Sequence, residues 1–216
     1  MPVMHLIWWQ GANNVPDDYK TLHDGFCELN PHWCVEWWDR ERILDADLPH
    51  RDFIEHAERY VPEDSAHQMR SDIARYGILH RHGGTYMDLD YRHQKPLDKA
   101  LGRYAGRFLT AWELQNRWVA NGFLHAPRPR HRAMKAMLEA IPANIEATAG
   151  KGLRANALTG PKLWTRIVHE QASVKVLNQG LFHPAPWWAP EEANKPWPAA
   201  IAVHLYGHQR TLKGMR

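Results

Sequence analysis

The first forty residues constrain the fold most, because they read as strand, helix, strand. Val3 to Trp9 is a short apolar run ending at Gly11, the pattern of a buried strand. In "VPDDYKTLHDGFCELNP", Tyr19, Leu22, Phe26 and Leu29 recur at helical spacing, and Asn30-Pro31 ends the periodicity. Trp33 to Trp38 reads as a second strand. A β-α-β opening commits the chain to an α/β class, with a mostly parallel sheet covered by helices. The 216 residues suffice for one such domain with a full core.

The remaining chain continues the pattern. Residues 39–62 are polar and suggest short helices, with breaks at Pro49 and Pro62. Asp64 or Ser65 offers an N-cap for a long helix with Met69, Ile73, Tyr76 and Leu79 along one face, ended by Gly83-Gly84. "TYMDLD" then reads as a strand with Tyr86, Asp88 and Asp90 on one side. Arg107 to Trp112 and Trp118 to Ala126 read as two further strands. A helix from about Arg130 is expected to break or kink at Pro142. Another starts at a Thr159 cap, with Leu163, Trp164, Ile167 and Val168 inward. A Pro- and Trp-rich loop leads to a last strand, Ala200 to Tyr206, and a basic tail. No internal repeat, low-complexity segment or domain linker interrupts the chain.

A formal net charge of +3 is too mild to indicate a nucleic-acid partner by itself. The local clusters Arg128, Arg130, His131, Arg132 and Arg210, Lys213, Arg216 read as solvated surface or as counter-charge for phosphate. Two cysteines, Cys27 and Cys34, are too few for a disulfide scaffold and imply a reducing compartment. No stretch approaches the roughly 20 apolar residues of a membrane span, and the N-terminus lacks a signal-peptide pattern. A cytoplasmic protein is expected; oligomeric state is not readable.

The chemistry centres on a D-x-D. The chain carries that spacing twice, as Asp88-Leu89-Asp90 and as Asp45-Ala46-Asp47. On a strand, Asp88 and Asp90 would project to the same side, about 6.5 Å apart at Cα. Hard carboxylate oxygens there suit Mn²⁺ or Mg²⁺, which bind one or two carboxylates plus substrate phosphates. Asp45 and Asp47 lie in a polar run before Pro49 and read as surface acids and helix caps. Asp72 and Arg75 are three apart on the long helix. They read either as an intrahelical ion pair or as a donor-acceptor pair for sugar hydroxyls. Of the histidines, His204 lies on an apolar strand where an imidazole needs a partner, and it could complete a metal shell. His208 is the second choice. Trp8, at the end of the first strand, reads as core packing or as a stacking platform for a base.

These residues also resemble a known family. "HLIWWQG", "NPHWCVEWWD", "RSDIARYGILHRHGGTYMDLD", "NGFLHAPRPRH" and "TGP" are similar to the D-x-D sugar-binding glycosyltransferases of family 32. That family includes initiating α-mannosyltransferases and α-galactosyltransferases, and it shares its core with the glucosylating clostridial toxins. The resemblance implies a GT-A fold, with a Rossmann-like nucleotide-sugar half to about residue 112 and an acceptor half with a closing tail from about 113. It implies a UDP- or GDP-linked hexose donor, a divalent cation on the diphosphate, and retention of anomeric configuration. Trp8 would stack on the base, Ser71 lie near the ribose, and Asp72 and Arg75 hold sugar hydroxyls. Tyr86 and Asn121 would lie near the sugar or diphosphate, and Asp88 and Asp90 would address the metal. The usual Ser-Trp ending is replaced by "AVHLYGHQRTLKG".

The expected activity is therefore hexose transfer to a hydroxyl on a glycan or protein, with a nucleic-acid acceptor left open. Two rivals stand beside it. A metal-dependent phosphohydrolase would carry D-x-D on its first strand. A carbohydrate-binding module would explain the tryptophans but not Asp72, Arg75, Asp88 and Asp90 together.

Overall fold

The computed structural model describes residues 1–115 and 117–207. The chain opens with β1 (Val3–Ile7), α1 (Asp17–Leu29) and β2 (Cys34–Trp38). Two short helices follow, α2 (Arg40–Asp45) and α3 (Arg51–Glu55), then the long α4 (Glu63–His82), β3 (Gly84–Met87), β4 (Tyr91–His93) and α5 (Asp98–Leu101). The second half holds β5 (Phe108–Leu114), β6 (Trp118–Val119), β7 (Phe123–Ala126), α6 (Arg132–Ala147), α7 (Ala155–Leu158) and α8 (Pro161–His169). It ends with β8 (Val174–Leu177) and β9 (Ala202–His204).

Seven strands form one sheet in the order β2-β1-β3-β7-β5-β6, with β8 also paired to β5. The β1–β2, β1–β3 and β5–β8 pairs are parallel, and the β3–β7, β5–β7 and β5–β6 pairs are antiparallel. Five strands thus run one way, and only β6 and β7 run the other. Alternation along the strands splits the core between two faces. Tyr86, Phe108 and Leu124 pack with Ile73, Met134 and Trp164 from α4, α6 and α8. Their neighbours Met87, Leu109 and Phe123 pack with Phe26 of α1 on the other face. Met69, Ile73, Tyr76 and Leu79 of α4 are fully buried, each contributing about 1.5–3 kcal/mol of transfer free energy.

Several local expectations are corrected. The long helix starts at Glu63 with Pro62 at its N-cap, two residues before Asp64 and three before Ser65, the expected caps. Ser65 is instead interior: its hydroxyl accepts the Ala155 amide at 2.9 Å. α6 continues through Pro142 to Ala147, so the chain does not break there. Proline has no N–H for the Leu138 carbonyl, and the His50 Nε2 supplies that hydrogen bond at 2.8 Å. α8 is capped at Gly160 with Pro161 in its first turn, which releases Thr159 for another role. Trp118 to Ala126 is two strands, not one. The stretch 174–177 adds a strand that its short "VKVL" pattern did not announce. The last strand, β9, pairs with β4 in a separate two-stranded ladder outside the main sheet. α2 is capped by Asp39, whose carboxylate accepts the Arg42 amide at 2.9 Å; Asp45 and Asp47 are exposed acids, as expected, without that capping role.

Candidate active site

The strand expected to carry both aspartates stops at Met87. The Asp88 amide still bonds to the Gly122 carbonyl at 2.9 Å, and then the chain turns through Leu89-Asp90 into β4. The turn occurs because β4 leaves the main sheet to pair with β9. Asp88 and Asp90 therefore converge from a turn at the carboxyl end of β3, beside the carboxyl end of β1. That is where ligands bind in open α/β sheets.

The β4–β9 register sets Tyr91 opposite His204. This brings the His204 Nε2 to 2.9 Å from Asp90 Oδ1 and 4.0 Å from Asp88 Oδ2. One donor atom from each of Asp88, Asp90 and His204 lies within 4.8 Å of the others. Asp90 Oδ2 also accepts the Gly207 amide at 2.8 Å. Burial opposes the Asp90 charge, yet His204 and the Gly207 amide hold its carboxyl below the usual range. Burial likewise opposes a charged His204, but Asp90 and then Asp88 overcome it and raise the imidazole. A site that draws a proton onto an imidazole between two carboxylates also attracts a divalent cation, and two carboxylates with one imidazole are a donor set that suits one. His208, the alternative ligand, lies outside the described residues.

On α4, Asp72 and Arg75 face inward, each only 5% exposed. Arg75 spreads its fork over the Ser71 carbonyl (3.1 Å), the Ser71 hydroxyl (2.9 Å), the Asn121 carbonyl (2.9 Å) and Asp88 Oδ1 (3.1 Å). It lies 3.4 Å from Asp72 Oδ1. Tyr86 lies under the guanidinium, 4.4 Å from it to the ring centre, and its hydroxyl donates to Asp88 Oδ1 at 2.6 Å. Asp72 accepts from the Asn121 amide at 2.7 Å and the Thr159 hydroxyl at 3.0 Å. Burial, partly offset by Arg75 and these hydrogen bonds, raises the Asp72 pKa to about 6. Burial works against the Arg75 charge, but Asp88, Tyr86 and Asp72 outweigh it and the guanidinium is stabilised.

A cavity of about 520 Å³ opens over this group, and Asp72, Arg75, Asp88, Asn121 and His204 all line it. Tyr86 supports the cavity from beneath. Ser71 and Trp8 do not line it. Ser71 buttresses Arg75. Trp8 packs on Tyr19 with ring centres 5.7 Å apart, and the Tyr19 hydroxyl lies beside Gly207 at the far side of Asp90.

Sequence reading misses Thr159, which reads as a cap and instead holds Asp72. It also misses Glu113, Trp118, Lys162 and Trp187, which line the cavity. Burial raises the Glu113 carboxyl above its ordinary value. Its signal was a charge at the end of an apolar strand, "FLTAWEL".

The architecture matches solved glycosyltransferases. One, described as PaToxG glycosyltransferase, superposes with a TM-score of 0.61 at 15% identity, over 79% of this chain and 69% of that one. The UDP-bound glycosyltransferase domain of the YGT toxin gives 0.57 at 9% identity, over 81% and 79% of the two chains. The fold is GT-A. Residues 16–106 carry the family region described as "glycosyltransferase sugar-binding region containing DXD motif". An uncharacterized glycosyltransferase of Acanthamoeba polyphaga mimivirus is 34% identical over 131 residues, 60% of this chain and 50% of that protein. The chain spans half or less of the curated relatives it matches. The matched region contains Asp72, Arg75, Asp88 and Asp90. Among the described residues, no helix is long and apolar enough to cross a membrane.

Proposed function

We propose that the chain transfers a hexose from a UDP- or GDP-linked donor to a hydroxyl acceptor, with retention of anomeric configuration. The observation that carries this reading is the convergence of Asp88, Asp90 and His204, with Asp88 held 3.1 Å from Arg75 and with Asp72, Arg75, Asp88 and His204 lining one cavity. Mn²⁺ or Mg²⁺ held by Asp88, Asp90 and His204 would supply positive charge to offset that of the departing nucleoside diphosphate. Asp72 accepts from sugar hydroxyls and Arg75 donates to them, which orients the anomeric carbon toward the acceptor. Asn121 and Tyr86 hold these two side chains and Asp88 in register, close to the sugar and diphosphate. Trp8 stacks on the base and Ser71 lies near the ribose. UDP is favoured by its presence in the YGT toxin domain.

In the transfer, the acceptor oxygen bonds to the anomeric carbon as that carbon's bond to the β-phosphate oxygen breaks. The acceptor proton passes to the departing phosphate. Attack on the leaving-group face retains the configuration. Asp72, Asp88 and Asp90 are each engaged by donors within the protein, which favours a route without a covalent glycosyl-enzyme. Residues to about 112 form the donor half and those from about 113 the acceptor half, with Asn121, Thr159 and His204 reaching back to the donor side. The free thiols of Cys27 and Cys34 favour a reducing compartment, the cytoplasm.

The test is a release assay over a panel of UDP- and GDP-sugars with Mn²⁺. Release of UDP or GDP from one of them supports the reading. Phosphate release from simple phosphomonoesters, with no nucleotide sugar turned over, would replace it with a phosphohydrolase.

A further inference from the structure

Glu113 occupies an irregular position in β5. Trp112 pairs with Val119 and Leu114 with Trp118, so the register slips by one residue between them and Glu113 is the extra residue. A bulge of this kind re-aims a side chain out of the pleat. Here it turns a carboxylate into the cavity that holds Asp72 and Arg75. The carboxylates of Asp72, Asp88 and Asp90 all accept hydrogen bonds from the protein. Glu113 has neither a hydrogen bond nor an ion pair among the described residues. A carboxylate in a recess without a protein donor is left to water or to a ligand for its hydrogen bonds.

Two tryptophans line the same cavity. Trp118 sits on β6, paired with the residue after Glu113. Trp187 belongs to the Pro- and Trp-rich loop and is 44% exposed. Arg117 and Lys162 lie over the Trp118 ring at 5.6 and 5.8 Å, and Trp187 packs edge-on with Trp188. Indoles beside a polar recess suit a ligand with one apolar face and many hydroxyls. A pyranose ring has that character: its C–H face packs on the indole and its hydroxyls reach a carboxylate.

We propose that Glu113, Trp118 and Trp187 form the acceptor subsite and that the acceptor is a carbohydrate. Glu113 accepts a hydrogen bond from an acceptor hydroxyl, and the two indoles carry the ring. This rests on the transferase reading of the donor site. The charges in the cavity argue against a polyanionic acceptor such as DNA. The charge of Arg75 is compensated by Asp88 and Asp72. Besides it, Lys162 is the only lysine or arginine lining the cavity among the described residues, where Asp72, Asp88 and Glu113 present negative charge.

The experiment has two arms. In the first, tryptophan fluorescence is titrated with simple hexosides, with a serine- and threonine-rich peptide and with a DNA oligonucleotide, no donor being present. A hexoside is expected to quench the signal saturably in the native chain, and Trp187→Ala is expected to weaken its Kd about tenfold, the loss of roughly one stacking contact. Saturable binding of the peptide or the DNA in place of every hexoside would overturn the proposal. In the second, transfer from the donor found in the release assay is measured with the same acceptors. Glu113→Gln, Trp118→Phe and Trp187→Ala are expected to raise the ratio of acceptor KM to donor KM about tenfold, whereas a general folding defect would leave that ratio in place. An unchanged ratio in all three variants would refute the subsite. If no donor is turned over, the transferase reading fails, and the binding arm still decides whether these residues hold a sugar.

Discussion

The Asn121 side chain donates to Asp72 Oδ1 at 2.7 Å, while the Asn121 backbone carbonyl accepts from Arg75 at 2.9 Å. One residue from the loop between β6 and β7 therefore holds both members of the helix-borne pair. Its amide also donates to the Tyr76 hydroxyl at 2.8 Å, and Tyr76 donates to the Thr159 carbonyl. The buried polar groups of this corner form one connected network, in which the loss of one donor leaves several acceptors short.

Asn121→Asp sets a second carboxylate against Asp72 inside that network. The variant is expected to lose about 3 kcal/mol of unfolding free energy at neutral pH, the scale of an unpaired buried charge. Urea denaturation measures it. A change within about 0.5 kcal/mol, the range of ordinary surface substitutions, would mean that the network does not confine Asp72 as described.

Gly122→Ala tests the approach of backbone to acid. A Cβ there would lie 2.5 Å from Asp88 Oδ2 and 3.3 Å from the Tyr91 hydroxyl. Asp88 has to move, and its other oxygen is tied to Arg75 and Tyr86. Donor hydrolysis with Mn²⁺ should fall on the order of 100-fold, the effect of a displacement near 1 Å at a reacting centre. Native activity in this variant would show that the Asp88 position is not critical.

His5 makes stability depend on pH. Its Nδ1 accepts from the Trp38 indole at 3.2 Å and its Nε2 donates to the Gly83 carbonyl at 3.0 Å, so the neutral ring is the form that fits. Burial is the main cause that lowers its pKa from 6.5 to about 4. Between those values the unfolded chain binds the proton and the folded chain does not, so stability is present above pH 6.5 and lost as pH falls toward 4. The contribution is at most about 3 kcal/mol. His5→Gln keeps one acceptor and one donor but does not titrate. Its melting temperature should fall less than that of the native chain from pH 6.5 to 4. Equal falls would remove His5 from the account.

The sequence exposed what depends on local pattern. The β-α-β opening, the buried face of α4 and which D-x-D lies at the cavity were legible because apolar spacing and paired glycines are written in neighbouring residues. What was not legible depends on residues far apart in the chain. Pro142 reads as a helix breaker until His50 is known to reach the Leu138 carbonyl. Thr159 reads as a cap until Asp72, far away in sequence, is found beside its hydroxyl. The strand through Asp88 and Asp90 ends early because β4 pairs with β9, more than a hundred residues later. The same ladder delivers His204 to Asp90, so the expected ligand meets its partner through a route the periodicity could not reveal. Glu113 depends on a one-residue slip in pairing, which leaves no mark on composition.

The central claim is that Asp88 and Asp90, and not the equally spaced Asp45 and Asp47, hold the cation of a nucleotide-sugar site. The most direct measurement is the melting temperature of the native chain, Asp88→Asn, Asp90→Asn and Asp45→Asn, each with and without Mn²⁺ plus UDP or GDP. A ligand at about 100 times its Kd adds about 2.7 kcal/mol to stability. The shift should appear in the native chain and in Asp45→Asn and be lost in Asp88→Asn and Asp90→Asn. An equal shift in all four proteins, or no shift with either nucleotide in the native chain, would contradict the account.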